Sequence, residues 1–198
     1  MSGGFVPILL ALALYGGLHS LLAGHTAKRW AERRFGAAYH RFYRLFFNLF
    51  AGITLLPVLA LLRWLPDRAI YTIPMPWVLL TGVVQIAAAG GMLLAVRQTG
   101  TLDFLGLAQL HAAPSAHTMT TGGLYAWVRH PIYSFGLIIL WLTPVMTWNV
   151  LALNLGASLY MTLGAALLEE RKLRAEFGEA YAEYQRRVPM LIPRPRRR

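Results

Sequence analysis

The chain has 198 residues, of which 57% are hydrophobic and 14% are charged, a composition that a soluble domain of this size seldom needs. Lys and Arg number 19 against 8 Asp and Glu, for a formal net charge of +11, which suits a nucleic-acid binder, a membrane protein or a protein that binds an acidic surface. The sequence contains no cysteine, which excludes a disulfide framework, a thiolate nucleophile, cysteine-ligated zinc and an iron–sulfur cluster.

Five apolar blocks without Asp, Glu, Lys or Arg follow one another along the chain: residues 5–23, 45–62, 77–96, 132–148 and 149–168. Each is close to the roughly 20 residues that a helix needs to cross about 30 Å of hydrocarbon. The last two blocks are contiguous, and one straight helix through both would be about 55 Å long. We therefore predict a tight hairpin that turns near residues 147–149. The first block lacks a charged leader and a cleavage site, so we predict a retained span rather than a signal peptide.

Basic residues are distributed unevenly among the connections. Six lie between the first two blocks, two between the third and fourth, and nine in the C-terminal tail, whereas the opposite side holds only Arg63 and Arg68. Because Lys and Arg are retained on the cytoplasmic side, we predict an inner-membrane protein with its N-terminus outside and its C-terminus in the cytoplasm. The charge then follows topology, and no finger, homeodomain or RNP signature accompanies it, so we expect no nucleic-acid partner.

The two halves of the chain differ in kind. Residues 1–100 hold three spans with plain connections, and residues 101–198 hold a cytoplasmic loop, the hairpin and an amphipathic C-terminal helix that Gly178 is expected to break. The predicted fold is all-α, a polytopic integral membrane protein with five transmembrane helices and a cytoplasmic C-terminal helical segment. The apolar stripe of that last helix is expected either to pack in the core, to lie on the membrane or to cover a ligand.

Two groups of polar residues flank the hairpin. Arg129, His130 and Tyr133 stand where it begins, and Glu169 and Glu170 stand where it ends. Because a hairpin brings its two ends together, we expect these side chains to lie close to one another. They are either anchors at the membrane interface or the walls of a ligand site, since adjacent carboxylates at a helix C-terminus call for a cationic partner.

The backbone around the first group also suits a ligand site. Pro131 fits the first position of a helix, where its missing N–H costs nothing. Gly122 and Gly123 would let the chain pass close to a bound molecule. His19 is a separate candidate, because an ionisable group inside an apolar span is often functional, although no suitably placed second ligand for a haem accompanies it.

The residues from about Gly122 to Pro193 resemble the membrane-integral isoprenylcysteine carboxyl methyltransferase and phospholipid methyltransferase superfamily. Segments 102–110, 143–147 and 188–193 are most similar to its bacterial methanethiol S-methyltransferase branch, whereas residues 19–23 also resemble NnrU-type membrane proteins. One departure is a glycine that lies three places after the motif tyrosine, at Gly136, instead of two. The pattern itself is Gly123-x-Tyr125-x-x-x-Arg129-His130-Pro131-x-Tyr133, an apolar hairpin, Glu169-Glu170-Arg171-x-Leu173, Phe177-Gly178, Tyr181, Tyr184 and Val188-Pro189.

The resemblance implies an enzyme that uses S-adenosylmethionine as methyl donor and needs no metal. It implies a small or lipophilic substrate that reaches the site through membrane lipid, with a small thiol of the methanethiol type as first choice. Isoprenylcysteine carboxyl methylation, phospholipid methylation, a reductase of the same membrane architecture and an NnrU-like non-enzymatic role remain alternatives. The oligomeric state is left open.

The same resemblance assigns roles to individual residues. Glu169 and Glu170 would bind the ribose hydroxyls or the ammonium group of the donor, and Arg129 its carboxylate. Arg129, His111, His117 and His130 are the candidates for favouring the thiolate form of the acceptor. The remaining contacts to the donor would come from Gly123, Leu124, Tyr125, Val128, His130, Pro131 and Tyr133.

Overall fold

The computed structural model describes residues 3–111 and 118–194. Within these residues the fold is mostly helical, as predicted, with two short paired strands that the sequence did not suggest. A π-helix, Gly164–Glu169, joins the last two helices, and 3-10 turns cover Ala108–Leu110 and Gly123–Ala126. The elements are α1 (Phe5–Ala23), α2 (His25–Phe35), α3 (Ala37–Trp64), β1 (Ala69–Thr72), α4 (Trp77–Gln98), α5 (Thr101–Leu105), α6 (Pro131–Trp141), β2 (Val145–Thr147), α7 (Trp148–Leu163) and α8 (Glu170–Arg187).

Four helices of the described residues are long and apolar enough to cross a membrane: α1, α3, α4 and the continuous helix Trp148–Arg187. The fourth apolar block forms only α6, whose 11 residues span about 16 Å. Pro144 follows α6 closely, and a proline disfavours helical backbone in the residue before it. The hairpin is confirmed, with its turn at residues 142–147, slightly earlier than predicted, but five full-length spans are not.

The described residues divide into two compact units that interleave along the sequence. One lies within residues 1–71, 100–117 and 146–156, and the other within residues 72–99, 118–145 and 157–198. Each unit takes residues from both halves of the chain. The functional division at residue 100 stays a prediction.

The first unit is built on α1, which packs against α2 and α3. The Tyr43 hydroxyl donates a 2.7 Å hydrogen bond to the carbonyl of Leu22 and so ties α3 to the end of α1. At the start of α7, Asp67 accepts a hydrogen bond from the backbone N–H of the fully buried Asn149. That carboxylate satisfies one of the N–H groups that a helix start leaves without a partner.

The second unit packs α6 between α4 and α7. The Gln85 side chain donates to the carbonyl of Ile139 at 2.9 Å, and the indole N–H of Trp141 donates to Ser158 at 2.9 Å. Gly136 is buried, and a Cβ there would lie 2.8 Å from the Met161 methyl carbon. The glycine that departs from the family spacing therefore has a packing role between α6 and α7.

The C-terminal helix breaks where the sequence predicted. Gly178 has φ 56° and ψ −128° inside α8, a conformation that glycine adopts readily and other residues avoid. Tyr181 and Tyr184 on the following piece are 1% and 4% exposed. This last part of the apolar stripe is therefore packed within the second unit, and a role of the stripe on the membrane or over a ligand stays a prediction.

Candidate functional site

The site lies at the base of the hairpin, within the second unit. Pro131 occupies the first turn of α6 and His130 is its N-cap, so both stand at the positive end of the helix dipole. On the other side, the π-helix Gly164–Glu169 delivers Glu169 and Glu170 at the start of α8. The predicted proximity of the two groups is observed, and the two carboxylates turn out to have different surroundings.

Glu170 is the centre of a buried polar cluster and is only 7% exposed. Its Oε1 atom accepts from Arg129 Nε at 2.8 Å and the Tyr181 hydroxyl at 3.0 Å, and lies 2.8 Å from His130 Nε2. Its Oε2 atom accepts from Arg129 Nη2 at 3.0 Å and from the side-chain amide of Gln185. A carboxylate accepts only, so His130 carries a proton on Nε2. Both oxygens of Glu170 are thus engaged by the protein itself.

Arg129 is engaged almost as fully. Besides its two-pronged contact with Glu170, its Nη1 atom donates to the carbonyl of Gln185 at 3.2 Å and to the carbonyl of Val188. Four of the five N–H groups of its guanidinium are therefore used inside the unit. Arg129 thus connects the end of α8 to the base of the hairpin, and its fifth N–H has no partner among the described residues.

Backbone hydrogen bonds continue this connection. The N–H groups of Arg129 and His130 donate to the carbonyls of Pro189 and Met190, at 2.9 and 3.1 Å. The Ser134 hydroxyl donates to the carbonyl of Leu191 at 2.7 Å. The segment after α8 therefore lies along the start of α6 and covers that side of the cluster.

Glu169 differs from its neighbour in being accessible, with 44% of its side chain exposed. Its Oε2 atom accepts from the Tyr133 hydroxyl at 2.9 Å and lies 3.5 Å from His130 Nδ1. The rings of His130 and Tyr133 are stacked, 5.6 Å apart and 10° from parallel. Within the described residues no hydrogen bond reaches Oε1 of Glu169, so this atom is available to a ligand.

The loop before α6 is fastened to the end of α4. The Leu124 N–H donates to Gln98 Oε1 at 3.1 Å, and the Tyr184 hydroxyl donates to the carbonyl of Tyr125 at 2.6 Å. Gly123 has φ +59°, and a Cβ there would lie 2.3 Å from Gln98 Nε2. The backbone conformation and the close approach of Gln98 are enough to explain a glycine at this position, without a contact to a ligand.

The charge of the accessible carboxylate also acts on the Tyr125 side chain. Burial and the charge of Glu169 raise the pKa of Tyr125 to about 12, against the lowering effect of a hydrogen bond with Thr99. Its hydroxyl therefore stays protonated at neutral pH and can donate a hydrogen bond. Tyr125, Tyr133 and His130 together place three rings near Glu169.

A solvent-open cleft of about 340 Å³ adjoins the cluster on the side of α8. Arg171 and Arg174, both exposed, give its rim a positive charge. Its other lining residues are Arg129, Ala166, Glu170, Gln185 and Met190.

The other predicted site residues lie in varied places. Val128 and Pro131 are buried and Leu124 is half-buried in the second unit, and their contact with a donor stays a prediction. His111 is exposed in the first unit, whereas His117 lies outside the described residues. His19 packs against the rings of Tyr15 and Phe47, at 5.8 and 4.6 Å. No group of three metal-ligating side chains occurs among the residues that the structure describes.

Sequence reasoning missed two residues of the site: Gln185, which contacts Glu170, and Gln98, which binds the loop before α6. Gln98 and Gln185 are uncharged, and neither belongs to the pattern on which the resemblance was based. Two weak signals were present: Gln98 is a polar residue at the end of an apolar block, and Gln185 follows Tyr181 by one helical turn.

A family model, described as phospholipid methyltransferase, matches residues 77–180. The chain belongs to this family. The matched residues include α4, α6, the hairpin and both carboxylates, whereas Tyr181, Tyr184 and Gln185 lie beyond their end. The resemblance stated from the sequence is thus confirmed.

Individual relatives extend the likeness over nearly the whole chain. Methanethiol S-methyltransferase 2 of Bradyrhizobium diazoefficiens is 34% identical over 94% of this chain and 72% of its own length. Methanethiol S-methyltransferase of Mycobacterium tuberculosis is 32% identical over 96% of this chain and 78% of its own length. The human protein-S-isoprenylcysteine O-methyltransferase is 31% identical over 59% of this chain and 42% of its own length. No solved structure matches the chain significantly.

Family and fold together establish the class of the protein. It is a membrane methyltransferase, with apolar helices long enough to cross a bilayer and a polar cluster in the part of the chain that the family model matches. The prediction of an enzyme of this class is confirmed.

Proposed function

We propose that the protein transfers a methyl group from S-adenosylmethionine to a small or lipophilic thiol, with methanethiol as the first candidate. The observation that carries the proposal is the contrast between the carboxylates: Glu170 is saturated by the protein, whereas Glu169 presents an oxygen without a described partner beside the rings of Tyr133 and His130. The thiol is supported by the names of the two bacterial relatives, which match nearly the whole chain.

The residues fit the proposed donor. It carries an ammonium group, ribose hydroxyls and a sulfonium cation, and the Oε1 atom of Glu169 can accept a hydrogen bond from either of the first two. The ring of Tyr133 provides a face next to which a cation is stabilised. When bound, the donor supplies a methyl group already activated by its positively charged sulfur.

Glu170 and Arg129 take positioning roles in this proposal. Neither oxygen of Glu170 is left for a ribose or an ammonium group, so we replace the donor contact predicted for it with the task of orienting Arg129 and His130. Arg129 has one N–H left for the donor carboxylate. A cluster that is fixed before binding limits the entropy lost when the reactants are aligned.

The acceptor sulfur must approach in line with the bond between methyl and sulfonium sulfur. As the new carbon–sulfur bond forms, that older bond breaks and the thiol proton is lost to water or to a base. Thiols attack as thiolates; a free cysteine thiol has a pKa of about 8.5 and simple alkyl thiols lie higher, so a nearby cation or base would accelerate the reaction. Arg129, His111, His117 and His130 remain the candidates.

A labelled-methyl assay tests the acceptor. Purified protein is incubated with labelled S-adenosylmethionine and, in turn, methanethiol, a longer alkyl thiol, a prenylcysteine and a phosphatidylethanolamine. We expect transfer to a thiol. Transfer only to the prenylcysteine carboxylate, the second candidate that the human relative favours, or only to the phospholipid amine would overturn the thiol assignment.

We further propose five membrane crossings, of which the short helix α6 forms the fourth. The basic residues of the connections support an external N-terminus and a cytoplasmic C-terminus in a bacterial inner membrane, seventeen lying on one side and two on the other. Alkaline phosphatase fused after residue 198 should be inactive. An active fusion would contradict this topology.

A further inference from the structure

The segment between the first two spanning helices forms a short helix that the sequence analysis did not anticipate. α2 packs on α1 and α3 through Ala31, which is 4% exposed. Trp30 and Phe35 flank that contact, are 63% and 53% exposed, and touch each other edge to face at 6.0 Å. α2 thus presents a large aromatic surface directly beside two helices of membrane-spanning length.

Arginines border this aromatic surface. Arg33 and Arg34 follow Trp30 by three and four residues, which places all three on one face of α2. The Arg34 guanidinium lies 5.6 Å from the centre of the Phe35 ring. Exposed cations and exposed aromatic rings therefore share one face.

These arginines have no carboxylate partner among the residues that the structure describes. Glu32, the one acidic residue of α2, instead lies 3.2 Å from His40. The arginine pair in the last turn of α8 is different, because Arg186 and Arg187 both contact Glu183. Two similar arginine pairs, each ending a helix, thus differ in whether the protein neutralises them.

From this contrast we propose that the Trp30, Arg33 and Arg34 face of α2 binds the headgroups of anionic phospholipids. Tryptophan is favoured at the boundary between hydrocarbon and headgroups, and a helix with aromatic and basic residues on one face lies in that boundary. Each basic residue near an anionic membrane surface adds binding energy. The phosphodiester of such a lipid carries the negative charge that no described carboxylate provides to Arg33 and Arg34.

The test compares two double variants of the full-length protein. R33Q/R34Q removes the cations of α2, and R186Q/R187Q removes the same number of charges from the neutralised pair. Detergent-solubilised protein is titrated with phosphatidylglycerol or phosphatidylcholine, and bound lipids are counted by native mass spectrometry. R33K/R34K restores the charge, and thermal unfolding establishes that each variant is folded.

We expect the wild-type protein to prefer phosphatidylglycerol, and R33Q/R34Q to lose affinity for it by about fivefold for each arginine removed. R186Q/R187Q and R33K/R34K should keep the preference. Equal affinity of the wild-type protein for both lipids would overturn the proposal. So would an equal loss of phosphatidylglycerol binding in the two glutamine variants.

Discussion

Two arginine-containing regions of the molecule satisfy their charge in opposite ways. At the base of the hairpin, the Arg129 side chain is only 11% exposed and donates four N–H groups to a carboxylate and two carbonyls. On α2, Arg33 and Arg34 are exposed and contact no described carboxylate. The difference teaches that an arginine connects parts of the fold where its carboxylate partner lies in the same chain. Where the partner must come from another molecule, an arginine can bind that molecule.

The largest effect on stability is expected when Arg129 loses its internal partner, Glu170. Glu170→Ala leaves the Arg129 charge buried without its carboxylate, and loss of one member of a buried ion pair costs about 3–5 kcal/mol. We expect a correspondingly large decrease in the free energy of unfolding, measured by denaturant titration in detergent micelles. Glu176→Ala, an exposed glutamate on the same helix, is the control, and equal stability of both variants would show that the cluster is dispensable.

The neighbouring carboxylate should affect binding and leave stability unchanged. Glu169→Gln keeps an oxygen for Tyr133 but removes the charge, and a lost charge-assisted contact weakens binding by roughly tenfold to a hundredfold. Calorimetry with S-adenosylhomocysteine measures the affinity, and thermal unfolding should be close to that of the wild-type protein. Unchanged affinity would remove Glu169 from the proposed donor site.

A smaller effect is expected from the loop that precedes α6. Gly123→Ala places a side chain at positive φ, which costs about 1–2 kcal/mol, and displaces Gln98. Gly122→Ala is a matched control, because Gly122 has φ −93° and open space around its Cα. The unfolding midpoint should fall for the first variant only; an equal fall in both would point to a general intolerance of the loop to side chains.

The smallest effect is expected for an exposed ion pair. Arg186 lies 2.9 Å from Glu179 and also contacts Glu183, but solvent surrounds all three side chains and screens their attraction. Arg186→Gln should leave the unfolding midpoint and donor affinity unchanged. A clear loss of stability would mean that an exposed arginine–carboxylate contact stabilises the protein as the contact of Arg129 with Glu170 does.

The sequence predicted the spanning helices well wherever the apolar run was uninterrupted. α1 begins and ends at the predicted residues, and α4 extends only two residues further. α6 was predicted too long because hydrophobicity was weighed above Pro144, and composition does not reveal where a helix inside an apolar block stops. α2 was missed because Ala31 is its only buried residue, so the sequence of this helix shows no broad apolar face.

The sequence predicted which residues form the candidate site better than it predicted the contacts between them. The hairpin argument brought Arg129, His130 and Tyr133 to the two glutamates, as observed. It could not say which glutamate is saturated, because that depends on side-chain directions at the junction of α7 and α8. The contact of Gln185 with Glu170 could not be predicted either, because it depends on how α8 packs.

The π-helix at that junction gives the site an unusual sensitivity to chain length. In a π-helix each backbone hydrogen bond joins residues five apart instead of the four of an α-helix. Each residue of an α-helix turns the chain by about 100°. Deleting a single residue from Gly164–Glu169 would turn α8 against α7 and carry the exposed and the saturated carboxylate away from their partners. A relative could keep every motif residue and still lose this arrangement through one missing apolar side chain.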